Sequence, residues 1–302
     1  MESKQNKLSR VKHSHIVPQF YLKYFANTKG KVHVFDKPTF TTFEVVPSKI
    51  GKIGGFYDID EIDDAKSKQI IEHKLGEIES ETAPVYKELI AKLRLNKFSG
   101  FSIEERTILS KFIQSQLFRT EGHRNRISQT TVELLRQLKN KMSEAEFQQA
   151  QAEMDTLDSK SIQLSMINSV AHTSNFDLSD RIWVVHKNKT KYKFFTSDNP
   201  VSTYNHGDFF KIEHEIFIPL TPSYILSILI PQQLPEFRVW NNKILDLSSR
   251  EASKFYNSII ILSGERQVYS SENHFKFLNK ILGDNQIFKN KNQPRIRKNE
   301  YH

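Results

Sequence analysis

The chain has 302 residues, of which 37 % are hydrophobic and 26 % are charged, and its formal net charge is +9 at pH 7. It contains no cysteine, which excludes disulfides, thiolate metal ligands and a cysteine nucleophile. No apolar run reaches the roughly 18 residues that a membrane-spanning helix needs, and the polar first residues lead into no apolar segment typical of a signal peptide. These features predict a protein of the bacterial cytoplasm without a membrane partner.

The positive charge is concentrated at the two ends of the sequence. Four basic residues lie within residues 1–12 and five within residues 286–302. We therefore expect a disordered basic N-terminus (1–12) and a basic C-terminal tail (286–302) on either side of a single α+β domain over residues 13–285. Such charge favours polyanions, nucleic acid above all. The alternative is that both ends are solvated charge without a partner.

A histidine- and aromatic-rich segment near the start of the chain predicts a helix. Pro18 suits the first turn, where its missing N–H is not needed, and aromatic residues at i,i+4 spacing follow it. His15 lies just before this helix, where backbone N–H groups favour an anion. Two short strands are predicted next, over 31–36 and 41–46. Residues 51–64, rich in glycine and then in acids, indicate a solvated loop.

Helices dominate the middle of the sequence, over about 66–175. The longest helical pattern, 102–140, begins with a capping box formed by Ser102 and Glu105. The proline in the segment 80–84 is expected to break or kink the first helix of this region. Two further helices are predicted, over 143–156 and 159–174.

The second half of the sequence, about 181–270, is rich in strands. Residues 181–186 and 192–196 flank a polar turn and predict a hairpin. The other predicted elements are strands over 214–219, 224–230, 237–240 and 266–270, and helices over 248–263 and 272–281. The predicted fold class is α+β, with a helical middle region between β-rich N- and C-terminal parts and a mixed or antiparallel sheet.

Polar residues interrupt the apolar face of the long helix predicted over 102–140. Gln116, Arg119, Thr120 and His123 share the side that carries the apolar stripe, since residues three and four apart lie on one face. An amide, a guanidinium, a hydroxyl and an imidazole are therefore expected to point inward together.

A buried arginine needs a partner, because an isolated buried charge costs several kcal/mol. Glu72 and Glu79 flank the apolar stripe of an earlier helix, so either can pair with Arg119. One interpretation is a structural ion pair; the other is a pocket in which carboxylate, guanidinium and imidazole meet a substrate. The two glutamates stand about 10 Å apart along a straight helix, too far to chelate one metal ion without a third ligand.

A polar turn follows the strand predicted over 192–196. The tetrapeptide Ser197-Asp198-Asn199-Pro200 indicates an Asx-type turn. Alternatively, Asp198 is a general base or a metal ligand at the end of the strand, with Asn199 beside it. The sequence contains no phosphate-binding glycine loop, dinucleotide fingerprint, nucleophile elbow or zinc-protease motif.

Several of these motifs together resemble DUF4238, an uncharacterised bacterial family defined by a domain of unknown function. The resemblance rests first on His15–Phe25, which matches the pattern H-x-x-P-x-x-Y-L-x-x-F. The further motifs, in chain order, are Ile71-Glu72 with Ile78-Glu79, Gln116 to Thr120, Thr196–Val201 and Ile218–Pro222. The family has no established reaction, so the resemblance implies that these motifs belong together.

We expect an enzyme that acts on nucleic acid or a nucleotide, a nuclease-like hydrolase in a defence or toxin context. His15 would act as acid or base, Gln19 as the orienting amide and Arg119 as an anion clamp. The expected catalytic residues are His15, Gln19, Glu72, Glu79, Arg119 and Asp198, and the expected substrate-binding residues are Gln116, Thr120, His123 and Asn199. A divalent metal ion is a candidate cofactor. The alternative is a non-catalytic nucleic-acid- or protein-binding module whose motifs are structural.

Overall fold

The structure is a computed structural model that describes residues 14–59, 65–139, 141–156, 158–172, 178–204 and 215–283. The two basic ends expected at 1–12 and 286–302 lie outside the described residues, as does most of the acidic part of the loop expected over 51–64.

Helices and strands alternate in blocks along the chain. The helices are α1 Gln19–Leu22, α2 Ala65–Lys68, α3 Ile70–Arg94, α4 Ile103–Phe118, α5 Glu121–Leu138, α6 Glu144–Asp155, α7 Ser159–His172, α8 Arg250–Ser263 and α9 Lys276–Leu282. The strands are β1 Ser14–His15, β2 Val32–Asp36, β3 Thr41–Val45, β4 Lys52–Ile53, β5 Ile182–Asn188, β6 Thr196–Ser197, β7 Ser202–Tyr204, β8 Glu215–Thr221, β9 Tyr224–Leu229, β10 Lys243–Leu247 and β11 Gln267–Ser270. Short 3-10 helices cover Lys23–Phe25, Pro47–Lys49 and Pro235–Trp240.

The strands form three sheets. A five-stranded sheet has the order β10-β5-β9-β8-β7, a four-stranded sheet has the order β3-β2-β11-β6, and β1 pairs with β4. β10 runs parallel to β5, whereas β5, β9, β8 and β7 pair antiparallel. The five-stranded sheet is therefore mixed.

Strand β5 shows how the five-stranded sheet separates two apolar cores. Trp183 and Val185 belong to the core that includes buried residues of α1, α3, α4 and α7. Ile182 and Val184 belong to a second core with residues of α8 and α9. Successive residues of a strand point to opposite faces, so a strand buried on both faces needs an unbroken apolar run.

The expected fold class is confirmed: a helical middle region, α2 to α7, lies in the sequence between strand-rich N- and C-terminal parts. The capping box at Ser102 is also confirmed, since its side chain accepts from the N–H of Glu105 at 3.0 Å and its N–H donates to the Glu105 carboxylate at 2.8 Å. Within the described ranges, no helix combines the length and apolar character that a membrane crossing requires.

The break expected near Pro84 does not occur. Helix α3 runs without interruption from Ile70 to Arg94 and includes the proline. A proline in a helix removes one backbone hydrogen bond. Here, apolar residues on both sides of it are buried, from Ile71 to Leu93, and this burial stabilises the helix across the missing bond.

The single helix expected over 102–140 is two helices. α4 ends with Arg119 as its C-cap, and α5 begins after Thr120, whose hydroxyl oxygen accepts from the N–H of His123 at 3.3 Å. A threonine at the N-cap satisfies a first-turn donor and so starts a helix. The helical phase that placed His123 on the same side as Arg119 therefore does not extend across Thr120.

The hairpin expected over 181–196 is also wrong. β5 pairs with β9 and β10, whereas β6 pairs with β11 in the other sheet. Between them, the side chain of Asn188 donates to the carbonyl of Tyr192 at 2.6 Å, and the N–H of Phe195 donates to Asn257 Oδ1 at 2.9 Å. These bonds to side chains replace strand pairing where the chain passes from one sheet to the other.

The strand expected over 237–240 is part of the 3-10 helix Pro235–Trp240, because a proline at the first position favours a helical turn. Four strands were not expected, namely β1, β4, β7 and β10. All four are short, with at most five residues, so their own sequences give only a weak strand pattern. Their pairing partners are either distant in the sequence or are the more apolar strand of the pair.

Candidate functional site

A glycine fixes the segment that carries His15. The N–H groups of Ile16 and Val17 both donate to the carbonyl of Gly51, at 2.8 and 3.1 Å. Gly51 has a φ of +62°, and a Cβ there would lie 3.0 Å from the Cβ of Val17, so glycine alone fits this approach. α1 follows as a single turn. A one-turn helix has little macrodipole, so it does not supply the anion site expected at its N-terminus.

His15 and Gln19 form a pair at the edge of a cleft. Nε2 of Gln19 lies 2.9 Å from Nε2 of His15. An amide NH₂ group is only a donor, so the imidazole nitrogen accepts in this contact. The cleft has a volume of about 400 Å³. It is lined by His15, Gln19, Phe20, Gly76, Glu79, Ser80 and Ala83.

Arg119 lies behind this cleft. Its side chain is 1 % exposed, and Nη1 donates to Oε1 of Glu79 at 2.7 Å. Nη2 donates to the carbonyl of His15, and Nε lies 3.4 Å from the hydroxyl of Tyr57. These donors are directed at the protein and not at the cleft, so the role of an anion clamp stays a prediction that this geometry does not favour. A ligand in the cleft would instead meet the carboxylate of Glu79, whose side chain is 26 % exposed.

Glu72 also belongs to the support behind the cleft. Its carboxyl group bonds to the side chain of Ser14 and to the backbone of His15. Burial raises the pKa of Glu72, while the positive charge of Arg119 opposes this change. Its Oε2 is buried and has no hydrogen-bond partner among the described residues. Of the two glutamates expected at the site, Glu72 and Glu79, only Glu79 lines the cleft.

Two further side chains hold the backbone around Arg119. Gln116 is fully buried, and its amide donates to the carbonyl of Ile16 at 2.7 Å. The hydroxyl of Tyr57 donates to the carbonyl of Arg119 at 2.6 Å, and burial raises the pKa of Tyr57 to about 12. Gln116 was expected to bind substrate, but its amide is directed at the chain instead.

Asp198 serves another part of the fold. Its carboxylate accepts from the backbone N–H groups of Glu265, Arg266 and Gln267 at 2.7, 2.7 and 2.9 Å. Burial raises the pKa of Asp198, while the buried Lys37 and these three backbone donors oppose the change. Its oxygens thus hold the turn that enters β11, and Asp198 does not line the cleft at His15. The role expected for it, a general base or metal ligand, stays a prediction.

Thr120 and Asn199 form a structural junction. The hydroxyl of Thr120 donates to Oδ1 of Asn199 at 2.9 Å, and Nδ2 of Asn199 donates to the carbonyl of Ser263 at 3.0 Å. These bonds join the start of α5 to the end of α8. Both residues are at most 1 % exposed, and neither lines the cleft at His15.

His123 packs inside the helical region. Its ring lies 5.0 Å from that of Phe118, and its Nε2 lies 3.5 Å from Sδ of Met166. Burial lowers the pKa of His123 to about 3, and the charge of Arg126 acts in the same direction. His123 thus packs in the interior as a neutral side chain and does not line the cleft at His15.

Three small residues that open the cleft were not expected from the sequence. Gly76, Ser80 and Ala83 on α3 leave room beside Glu79. A Cβ at Gly76 would meet no atom within 4 Å. Spacings of four and three residues put small side chains on one helical face, and this pattern was the available signal. No local sequence pattern indicated the role of Tyr57, because it lies 62 residues before its partner Arg119.

Within the described ranges, no three histidine, cysteine, aspartate or glutamate side chains come together in a way that could hold a metal ion. What the cleft offers is one imidazole and one carboxylate, each fixed by a second residue. This combination suits proton transfer.

Comparison with known proteins gives one match. The family model described as "Protein of unknown function (DUF4238)" matches residues 13–274, which is most of the chain. No curated protein and no solved structure matches the chain.

Proposed function

The chain belongs to the family of proteins of unknown function DUF4238, and from this premise we propose that the cleft at His15 and Glu79 is the active site of a hydrolase. Its substrate class is phosphodiesters, in nucleic acid or a nucleotide. The observation that carries the proposal is that His15 and Glu79 line one cleft while Gln19 and Arg119 hold them in place.

In the proposed reaction, a water oxygen bonds to phosphorus and the bond from phosphorus to the leaving oxygen breaks. The water proton goes to Nε2 of His15, and the leaving oxygen takes a proton from solvent. Gln19 turns from the imidazole to a phosphoryl oxygen, since its amide can donate to either. The carboxylate of Glu79 stabilises the imidazolium that forms. Arg119 acts as a positioning residue, because it contacts Glu79 and the backbone of His15.

The experiment is a hydrolysis screen with labelled single- and double-stranded RNA and DNA and with nucleotides. His15→Gln and Glu79→Gln should each lower the rate by roughly 100-fold or more, the range of a lost acid–base group. The matched controls are His274→Gln and Glu272→Gln, since Nδ1 of His274 lies 3.0 Å from the Glu272 carboxylate at the surface, and neither residue lines the cleft. The controls should keep the full rate. No turnover of any substrate in the screen would contradict the proposal.

A second candidate, a binding module without catalysis, is favoured by the number of expected site residues that make internal bonds. Arg119, Asp198, Thr120 and Asn199 all hold other parts of the chain. Binding of nucleic acid that His15→Gln leaves unchanged, together with absent turnover, would support this candidate. A cytoplasmic location and a role in bacterial defence or toxicity are part of the proposal, and the absence of cysteine is compatible with a reducing compartment.

A further inference from the structure

A second cleft adjoins the first and shares one residue with it. Its volume is about 410 Å³, and it is lined by Gln19, Lys23, Ala26, Asn27, Thr28, Gly30, Pro47 and Ser48. Gln19 lines both clefts. A ligand longer than one cleft can therefore pass Gln19 and occupy both.

The two clefts differ in charge. The first contains the carboxylate of Glu79, whereas the residues that line the second include one cation, Lys23, and no acid among those described. Lys23 is four residues after Gln19, about one helical turn further along. A chain that starts at His15 would therefore meet an imidazole, an amide and an ammonium group in turn.

The surroundings of the second cleft are basic as well. Residues 14–53 contain two acids (Asp36 and Glu44) and five lysines that are not buried (Lys23, Lys29, Lys31, Lys49 and Lys52), whereas a sixth, Lys37, is fully buried and does not contribute to the surface. Both acids are in ion pairs: Asp36 lies 2.6 Å from Arg266, and Glu44 lies 3.5 Å from Lys31. Lys23 and Lys49 are exposed. The remaining field is positive and attracts an anionic chain.

An aromatic side chain completes the arrangement. Phe20 lines the first cleft and is half-buried against the rings of Tyr86 and Phe112, at centroid distances of 5.7 and 5.4 Å. Nucleic-acid-binding proteins combine such rings, on which a base stacks, with a basic groove for the phosphates. An inorganic polyphosphate has no base that could stack on Phe20.

We propose that the second cleft is a subsite for a backbone phosphate of a single-stranded polynucleotide, with Lys23 as its ligand. The neighbouring phosphodiester then lies in the first cleft at His15 and Glu79. This inference rests on the proposed function and adds that the substrate is a polymer. A mononucleotide would fill only the first cleft.

The test measures binding of labelled 12-nucleotide single-stranded RNA and DNA and of a labelled mononucleotide by fluorescence anisotropy, over a series of salt concentrations. The Glu79→Gln full-length chain serves as background so that cleavage is slow compared with the binding measurement. Adding Lys23→Gln should weaken oligonucleotide binding several-fold and lower the slope of log K against log salt by about 0.7, the value for one phosphate bound on a single strand. Mononucleotide binding should stay the same.

The matched control is Lys243→Gln on β10, which removes an exposed lysine of the same kind elsewhere. Equal effects of Lys23→Gln and Lys243→Gln, or equal loss of mononucleotide and oligonucleotide binding, would overturn the subsite. Lys23-dependent binding without hydrolysis by the unmodified protein would support the subsite and contradict only the catalytic proposal. Hydrolysis by the unmodified protein, together with oligonucleotide binding that does not depend on Lys23, would support the catalytic proposal and contradict the subsite.

Discussion

Arg119 and Glu79 form an ion pair of 2.7 Å in which one partner is buried and the other faces the cleft. The arginine is 1 % exposed and the glutamate side chain 26 % exposed. Arg119 also donates to the backbone of His15. The same guanidinium thus supports the fold and sets the position of two cleft residues.

Arg119→Ala should destabilise the protein by roughly 3–5 kcal/mol, because it leaves the buried carbonyl of His15 and the Glu79 carboxylate without their partner. Urea unfolding followed by circular dichroism measures this change. The control is Arg136→Ala, which removes an arginine that is 64 % exposed and lies 2.8 Å from Glu133. A surface pair contributes about 0–1 kcal/mol, so the control should unfold almost as the unmodified protein does. Similar losses in the two variants would contradict the structural role of Arg119.

Substitutions at Gly76 should affect stability and ligand binding differently. Gly76→Ala should raise the free energy of unfolding by about 0.5–1 kcal/mol, because glycine is unfavourable within a helix and the added Cβ meets no atom within 4 Å. Gly76→Leu should keep at least the original stability, yet its side chain would project into the cleft and lower binding and turnover.

The matched control for Gly76→Leu is Lys87→Leu, which puts the same side chain at an exposed position of α3 outside the lining of the cleft. It should leave binding and turnover unchanged. If Gly76→Leu binds nucleic acid as well as Lys87→Leu does, the ligand is not in this cleft.

The low pKa of His123 leads us to expect a smaller free energy of unfolding in acid. Its folded-state pKa of about 3 lies below the usual 6.5 of histidine, so the unfolded chain binds a proton that the folded chain does not. The group therefore lowers stability as pH falls below 6.5, by up to about 1.4 kcal/mol per pH unit. In His123→Gln this contribution is absent. The difference in unfolding free energy between the two proteins should be smaller at pH 5 than at pH 7, and a pH-independent difference would contradict this prediction.

Tyr21 joins three motifs that are far apart in the sequence. Its hydroxyl donates to the carbonyl of Pro219 at 2.7 Å and lies 2.8 Å from Oγ1 of Thr196. Tyr21→Phe should cost about 1–3 kcal/mol, since the carbonyl and the threonine hydroxyl lose a buried partner. Thermal unfolding tests this. The control Tyr192→Phe changes a half-buried tyrosine and should shift the melting temperature much less.

Local signals in the sequence predicted the elements that local interactions determine. The capping box at Ser102 needs only Glu105 three residues later, and the apolar run of β9 needs only its own composition. The hairpin expected over 181–196 failed because Asn257, about 60 residues later, binds the backbone of Phe195. No local pattern contains that bond.

The candidate site divides in the same way. His15, Gln19 and Glu79 could be predicted because each belongs to a short motif with polar residues on an otherwise apolar face. The three bonds that Asp198 accepts were not predicted, because its partners, the backbone N–H groups at 265–267, carry no side-chain signal. Arg119 is buried behind the cleft, and its burial could not be predicted, because helical phase alone does not distinguish a buried guanidinium from one that lines a cleft.

The two ends of the chain predict a salt-dependent contribution to binding of nucleic acid. Residues 1–10 hold three cations and one acid, and residues 288–302 hold five cations and one acid, so that deleting both removes a charge of +6 from the total of +9. Binding of a DNA duplex should weaken, and the slope of log K against log salt should fall by about 0.9 for each phosphate that the shortened chain no longer binds. Replacing the same lysines and arginines by glutamine in the full-length chain is the control for length, and it should give the same slope. An unchanged slope in the deletion would place the phosphate-binding cations on residues 11–287, where Lys23 is the first candidate.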